Sequence, residues 1–168
     1  IISRLAEQSY IPMANALLDM IKQNDGAFRC AISISGTAIE QLQLYVPEFI
    51  DILHKLADTG CVEFLSETYS HSLSSLEDPE EFMHDVRRHD ALISQLFSVT
   101  PKVFCNTELI YDDDVASLIS AMDFKVAVTE GAKHILGWKS PDYVYSAATA
   151  PSLKLLLVND KLSEDISR

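Results

Sequence analysis

The chain is short of several things, and each shortage excludes a class of protein. Only 3 of its 168 residues are cysteine (Cys30, Cys61 and Cys105), an odd and widely spaced set with no Cys-x-x-Cys. A disulfide scaffold needs pairs, so the expectation is reduced, mostly buried thiols in a cytoplasmic protein. With 5 glycines and 6 prolines the chain is neither collagen-like nor a linker. Positive charge is scarce: 13 Lys+Arg stand against 25 Asp+Glu, a net charge of −12. Nucleic acids and anionic membranes bind through Lys/Arg excess, so neither is expected as a partner, whereas neutral polyols remain open. No apolar run approaches the roughly 20 residues that span a bilayer. There is no initiator Met and no basic-then-apolar leader, and both ends read like the middle of a longer domain. What the chain does have is 48% hydrophobic residues, ample for a folded core.

Helix and strand patterns alternate along the sequence. Pro12 suits the first turn of a helix through Met13, Ala16, Leu17 and Ile21, which Asn24-Asp25-Gly26 stops. Residues 28–35 (FRCAISIS) predict a strand, 38–44 and 47–57 predict helices, and 61–65 a short apolar strand. Asp78-Pro79-Glu80-Glu81 opens the longest helix, to about residue 97, with Asp as cap and Pro at the first helical position. Residues 102–105 predict a strand, 112–122 a helix, 125–128 a strand, then a long loop through residue 145, and 153–158 a last strand. This β-α-β-α order with short apolar strands implies a parallel sheet covered by helices. No Gly-x-Gly-x-x-Gly or Gly-x-x-x-x-Gly-Lys follows a strand, so neither open-sheet nucleotide site is supported. The expectation is a partial (β/α)7-type parallel barrel with helices outside, with residues 1–168 forming part of one catalytic domain.

In parallel α/β folds ligands bind at the C-terminal ends of strands. Those ends carry Ser35-Gly36-Thr37, then Glu63, Glu67, Tyr69 and His71, then Asn106-Thr107-Glu108 and Tyr111, then Thr129-Glu130-Gly131 followed by His134, Trp138 and Tyr143. Carboxylates beside aromatic rings suit carbohydrate, since acids do the chemistry or grip hydroxyls while rings stack on sugar faces. Each has a bland counterpart. Glu63 lies inside an apolar strand, where a carboxylate without a task is uncommon. Glu67 and Glu130 serve equally as solvated loop residues. Asp112-Asp113-Asp114 reads as helix caps and dipole partners rather than a cation site. His54 is spaced among apolar residues and should be packed, while His84 and His89, beside Arg87 and Arg88, should lie on a solvated face. No His-x-x-x-His pair supports a metal centre.

Three stretches carry a family resemblance: Gly60-Cys61-Val62-Glu63-Phe64-Leu65-Ser66-Glu67-Thr68-Tyr69-Ser70-His71, then Val103-Phe104-Cys105-Asn106-Thr107-Glu108-Leu109-Ile110-Tyr111, then Thr129-Glu130-Gly131 with Leu136-Gly137-Trp138. Together they resemble glycoside hydrolase family 57, the α-amylase-like enzymes acting on α-glucans. The resemblance implies an incomplete (β/α)7 barrel, a retaining double-displacement mechanism, an α-glucan or maltooligosaccharide substrate, and no cofactor or metal. By position, Glu108 matches the nucleophile and Glu63 a substrate-binding acid. Tyr69 and His71 match positions lining the cleft, and Glu130 and Trp138 are placed as cleft residues.

The chain also departs from that pattern. It has no His-Gln-Pro tripeptide of the family's first strand, and the acid/base Asp belongs to a segment past Arg168. Cys105 stands three residues before Glu108, where many relatives have an aromatic, which leaves subsite specificity open. Two alternatives stand beside this one. The first is a metal-dependent polysaccharide deacetylase on a related barrel, for which only His71 is suitably placed. The second is a carbohydrate-binding module without chemistry.

Overall fold

A computed structural model describes residues 1–167. It divides into two compact units, residues 1–71 with 85–101, and residues 72–84 with those from 102 onward.

The first unit opens with helix α1 (Ile2–Leu5), a π-helical turn over Ala6–Tyr10, and α2 (Ile11–Gln23). The helix expected to start at Pro12 therefore begins ten residues earlier. A proline inside an α-helix removes one hydrogen bond and crowds the carbonyl four residues back. The wider π turn just before Pro12 lets the helix run on through it. Ala14, Leu18 and Ile21 of α2 are buried at helical spacing. Strand β1 (Cys30–Ile32) is shorter than the apolar run 28–35 suggested. Helix α3 (Gly36–Tyr45) is capped by the Ser35 hydroxyl, which accepts from the Ala38 N–H at 3.4 Å. Helix α4 (Pro47–Asp58) starts at its proline and buries Phe49, Ile52, Leu53 and Leu56, a stripe of spacing three, one and three. Strand β2 (Val62–Phe64) pairs parallel to β1, with Ala31 opposite Glu63 and Ile32 opposite Phe64. The long helix α5 (Pro79–Phe97) completes the unit's core: Phe97 stacks on Phe64 at 4.6 Å, and Ile39, Leu42, Leu53, Leu56 and Ile93 close around them.

The second unit holds β3 (Val103–Cys105), α6 (Asp113–Ala121), β4 (Val126–Glu130), α7 (Lys133–Leu136), β5 (Tyr145–Ser146), β6 (Lys154–Val158) and α8 (Asp160–Ser167). The strand order is β3-β4-β6-β5. Pairings β3–β4 and β4–β6 are parallel, as expected; β5 runs antiparallel to β6, inside what the sequence presents as loop. Phe104 on β3 is the centre of this core, edge-on to Phe82 at 5.7 Å and tilted against Phe124 at 5.4 Å. Val115, Ala116 and Ile119 of α6 are buried, as are Ala127, Leu153 and Leu155. The fold is thus α/β with parallel pairing, but the described strands form a two-stranded and a four-stranded sheet and close no barrel. Among the described residues no helix is long and apolar enough to cross a membrane.

Candidate functional site

Candidate residues sit past the C-terminal ends of strands in both units. In the first unit, Glu63 on β2 is half-buried and faces the same side as Ala31 of β1. Glu67, three residues past β2, is 4% exposed, so the solvated-loop alternative does not hold for it. Its Oε1 accepts a hydrogen bond from the Ser33 hydroxyl at 2.6 Å, and its Oε2 lies 3.5 Å from Nδ1 of His71. A buried carboxylate is tolerated when its oxygens are hydrogen-bonded in this way. His71 itself has its side chain half exposed and its backbone in the left-handed region, at φ 56°.

Tyr69 is held from several sides. Its ring is 4% exposed, with the Arg88 guanidinium 3.6 Å from the ring centroid and Gly36 against its edge. A Cβ on Gly36 would lie 2.6 Å from the Tyr69 Cγ, so only glycine fits there. The phenol donates to Glu40, and the Thr37 N–H donates to the Tyr69 carbonyl at 3.1 Å. Burial first, then the hydrogen bond and charge of Glu40, push the phenol above its ordinary value near 10, against the opposing pull of Arg88.

In the second unit, β3 runs out through Asn106 into a 3-10 turn, Thr107–Leu109. Asn106 is buried and donates to the Ile110 carbonyl at 3.1 Å and to the Ser75 hydroxyl at 3.0 Å, which fixes the turn's base. Glu108 and Leu109 both have positive φ, 53° and 57°. Of the other non-glycine residues with positive φ, Asp25, Ser98 and Asp123 close helices, where this conformation is ordinary. At Glu108 and Leu109 no helix end accounts for it, and each such residue costs about 1–3 kcal/mol. The turn presents an exposed Glu108 at a cavity of about 850 Å³, also lined by Tyr111, Glu130, Lys139, Leu155 and Leu157. Tyr111 carries a buried hydroxyl without a hydrogen-bond partner, and burial, with Asp113 and Asp112 adding to it, raises its phenol.

Glu130 is exposed at the end of β4. The glycine after it is required by close approach: a Cβ on Gly131 would overlap the Val158 carbonyl oxygen of β6. Trp138 lies just past α7 and is 93% exposed. Asp112 is a helix cap, its Oδ1 accepting from the Val115 N–H at 2.7 Å. Among the described residues no three His, Cys, Asp or Glu gather where they could hold a metal ion.

The sequence reasoning missed residues on α5. His89, expected on a solvated face, is 0% exposed, and Asp85 is 5% exposed. The signal was present: Phe82, Val86, His89, Ile93 and Phe97 recur at spacings of four, three, four and four, so His89 occupies the apolar stripe. The charged neighbours masked it.

Residues 1–167 match the model of glycosyl hydrolase family 57. A Methanocaldococcus jannaschii protein named "Putative alpha-amylase" is 38% identical over 167 residues, which cover 99% of this chain and 35% of that protein. The chain thus spans about a third of that relative's length. The 4-alpha-glucanotransferase of Thermococcus litoralis has a similar structure, with a TM-score of 0.83 at 14% identity over 98% of this chain and 26% of that one. A "putative polysaccharide deacetylase" from Mycobacterium smegmatis superposes with a TM-score of 0.68 at 18% identity over 92% of this chain and 49% of that one. At such identities the two structures testify to a shared fold, and they carry different chemistries on it.

Proposed function

From a chain that belongs to glycosyl hydrolase family 57, we propose an α-glucan-active retaining glycosidase or transglycosylase with Glu108 as its nucleophile. One observation carries the assignment: the turn after β3 holds Glu108 in left-handed backbone and exposes it at the 850 Å³ cavity. Strain of this kind persists where the surrounding structure enforces it, and it concentrates at functional positions. In a retaining mechanism an ionised carboxylate attacks the anomeric carbon, displaces the leaving oxygen and forms a covalent glycosyl-enzyme. A second carboxyl roughly 5–5.5 Å from the nucleophile protonates that oxygen and then activates water or an acceptor sugar. Glu63, His71 and Glu130 are proposed to hydrogen-bond sugar hydroxyls, and Trp138 to stack on a sugar ring, for which its exposure suits it. Tyr69, with its ring covered by Arg88 and its hydroxyl given to Glu40, serves by fixing the segment that carries His71. The partial barrel is proposed as the frame.

The test is covalent trapping in the full-length protein. A slow α-glucosyl fluoride inactivator should leave a sugar on Glu108, located by peptide mass spectrometry, and Glu108→Gln should abolish the adduct. Glucan cleavage with the adduct on another carboxylate, or with none, would overturn the assignment.

A further inference from the structure

The polar run Asp85 to Asp90 on α5 has no part in the chemistry above, yet much of it points inward. We propose that Asp85, Arg88, His89 and Asp90 form a cradle that positions the segment from Ser66 to His71, and so presents His71, braced by the buried Glu67, to the sugar. The inference rests on the reading that this segment contacts glucan.

The contacts run along the segment. Ser66, fully buried, donates its hydroxyl to Asp90 Oδ1 at 2.6 Å. Tyr69 lies under the Arg88 guanidinium at 3.6 Å. Ser70 gives Asp85 Oδ2 two hydrogen bonds, from its hydroxyl at 2.9 Å and from its backbone N–H at 3.3 Å. His89 reaches the segment just past β1, its Nε2 lying 3.0 Å from the Ile34 carbonyl oxygen. A carbonyl only accepts, so the proton is on Nε2. That leaves Nδ1 facing Asp90 Oδ1 at 3.7 Å. Ile34 follows Ser33, whose hydroxyl holds Glu67 at 2.6 Å. One helical stretch thereby ties both sides of the Glu67 carboxylate, through Ser66 on one strand end and Ile34 on the other.

Stability alone does not call for such a set, because well-packed apolar side chains of similar volume serve at least as well. What directional hydrogen bonds of this kind add is one defined geometry, with His89 Nδ1 alone left buried without a partner. Here the geometry is that of a segment ending in left-handed backbone at His71 (φ 56°) with its imidazole half exposed.

The experiment uses the full-length protein with isotope-labelled histidine imidazoles, His71 being assigned by His71→Gln. Asp90→Ala should move or broaden the His71 signals and weaken maltoheptaose binding by at least about fivefold, the scale of one lost hydrogen bond amplified through the loop. Asp90→Asn keeps an oxygen for Ser66 and should recover most of both. Should Asp90→Ala fail to fold, Ser70→Ala, at an exposed residue, must produce the same pair of changes in smaller measure. A lowered melting temperature with unmoved His71 signals and affinity within about twofold would make the run merely structural and overturn the proposal. If the unsubstituted protein binds no maltoheptaose, the glucan reading falls by itself, and the His71 signals still decide the cradle.

Discussion

At the scale of single residues, Tyr69 shows how much one side chain can be asked to do. Its ring fills the space that Gly36 leaves and carries the Arg88 guanidinium, while its phenol donates to Glu40. The folded state therefore keeps the phenol proton more firmly than the unfolded chain does. The stability this confers is complete below the ordinary phenol value near 10 and is lost as pH rises through the raised folded value. Tyr69→Phe should cost about 0.5–1.5 kcal/mol at neutral pH, from the lost hydrogen bond. It should also flatten the fall in unfolding free energy above pH 10, measured by urea titration at a series of pH values. Part of the slope should survive, because Tyr111 is shifted in the same direction. An unchanged alkaline slope in Tyr69→Phe would show that the Glu40 contact does not hold the proton. Motif similarity singled out Tyr69, Glu63 and Glu108 without revealing that Tyr69 is covered and Glu108 exposed. Burial depends on what the rest of the chain places nearby, which no local spacing encodes.

At the scale of elements, the ends of helices were the most legible features. Asp78 and Asp112 read as caps from sequence, and both accept backbone N–H bonds: Asp78 from Glu80 at 3.1 Å and Glu81 at 3.0 Å, Asp112 from Val115 at 2.7 Å. A side-chain oxygen there satisfies a donor that the helix leaves unpaired. Asp112→Ala should destabilise the chain by about 1 kcal/mol, and Asp112→Asn or Asp112→Ser by much less, in chemical denaturation. Equal losses in all three would point to the charge rather than the cap. Two elements are not legible in the sequence, for different reasons: the π turn before Pro12 is a local accommodation of the proline, and the two-residue strand β5 exists only through its pairing with β6, Tyr145 opposite Leu155. Polar His89 sits on an otherwise apolar stripe, and the charged residues beside it hide that spacing in the sequence.

At the scale of the whole molecule, the proposed division of labour between nucleophile and acid can be measured. Glu108 is proposed as the nucleophile, and the family resemblance implies that the acid/base Asp is not among residues 1–168. Protonation of the leaving oxygen by a positioned acid contributes about 10²–10⁴-fold, and an unactivated glucan cannot dispense with it. Fluoride leaves without a proton from an acid of the protein. The 168-residue chain by itself should therefore take a sugar from an α-glucosyl fluoride onto Glu108 while releasing no product from maltoheptaose above the enzyme-free blank. Comparing the two substrates separates attack from protonation, which neither resolves alone. Turnover of maltoheptaose by the 168-residue chain, lost in Glu108→Gln, would mean that one of its own carboxyls serves as the acid. Labelling without turnover would place the acid elsewhere and leave Glu108 the one chemical duty proposed for it.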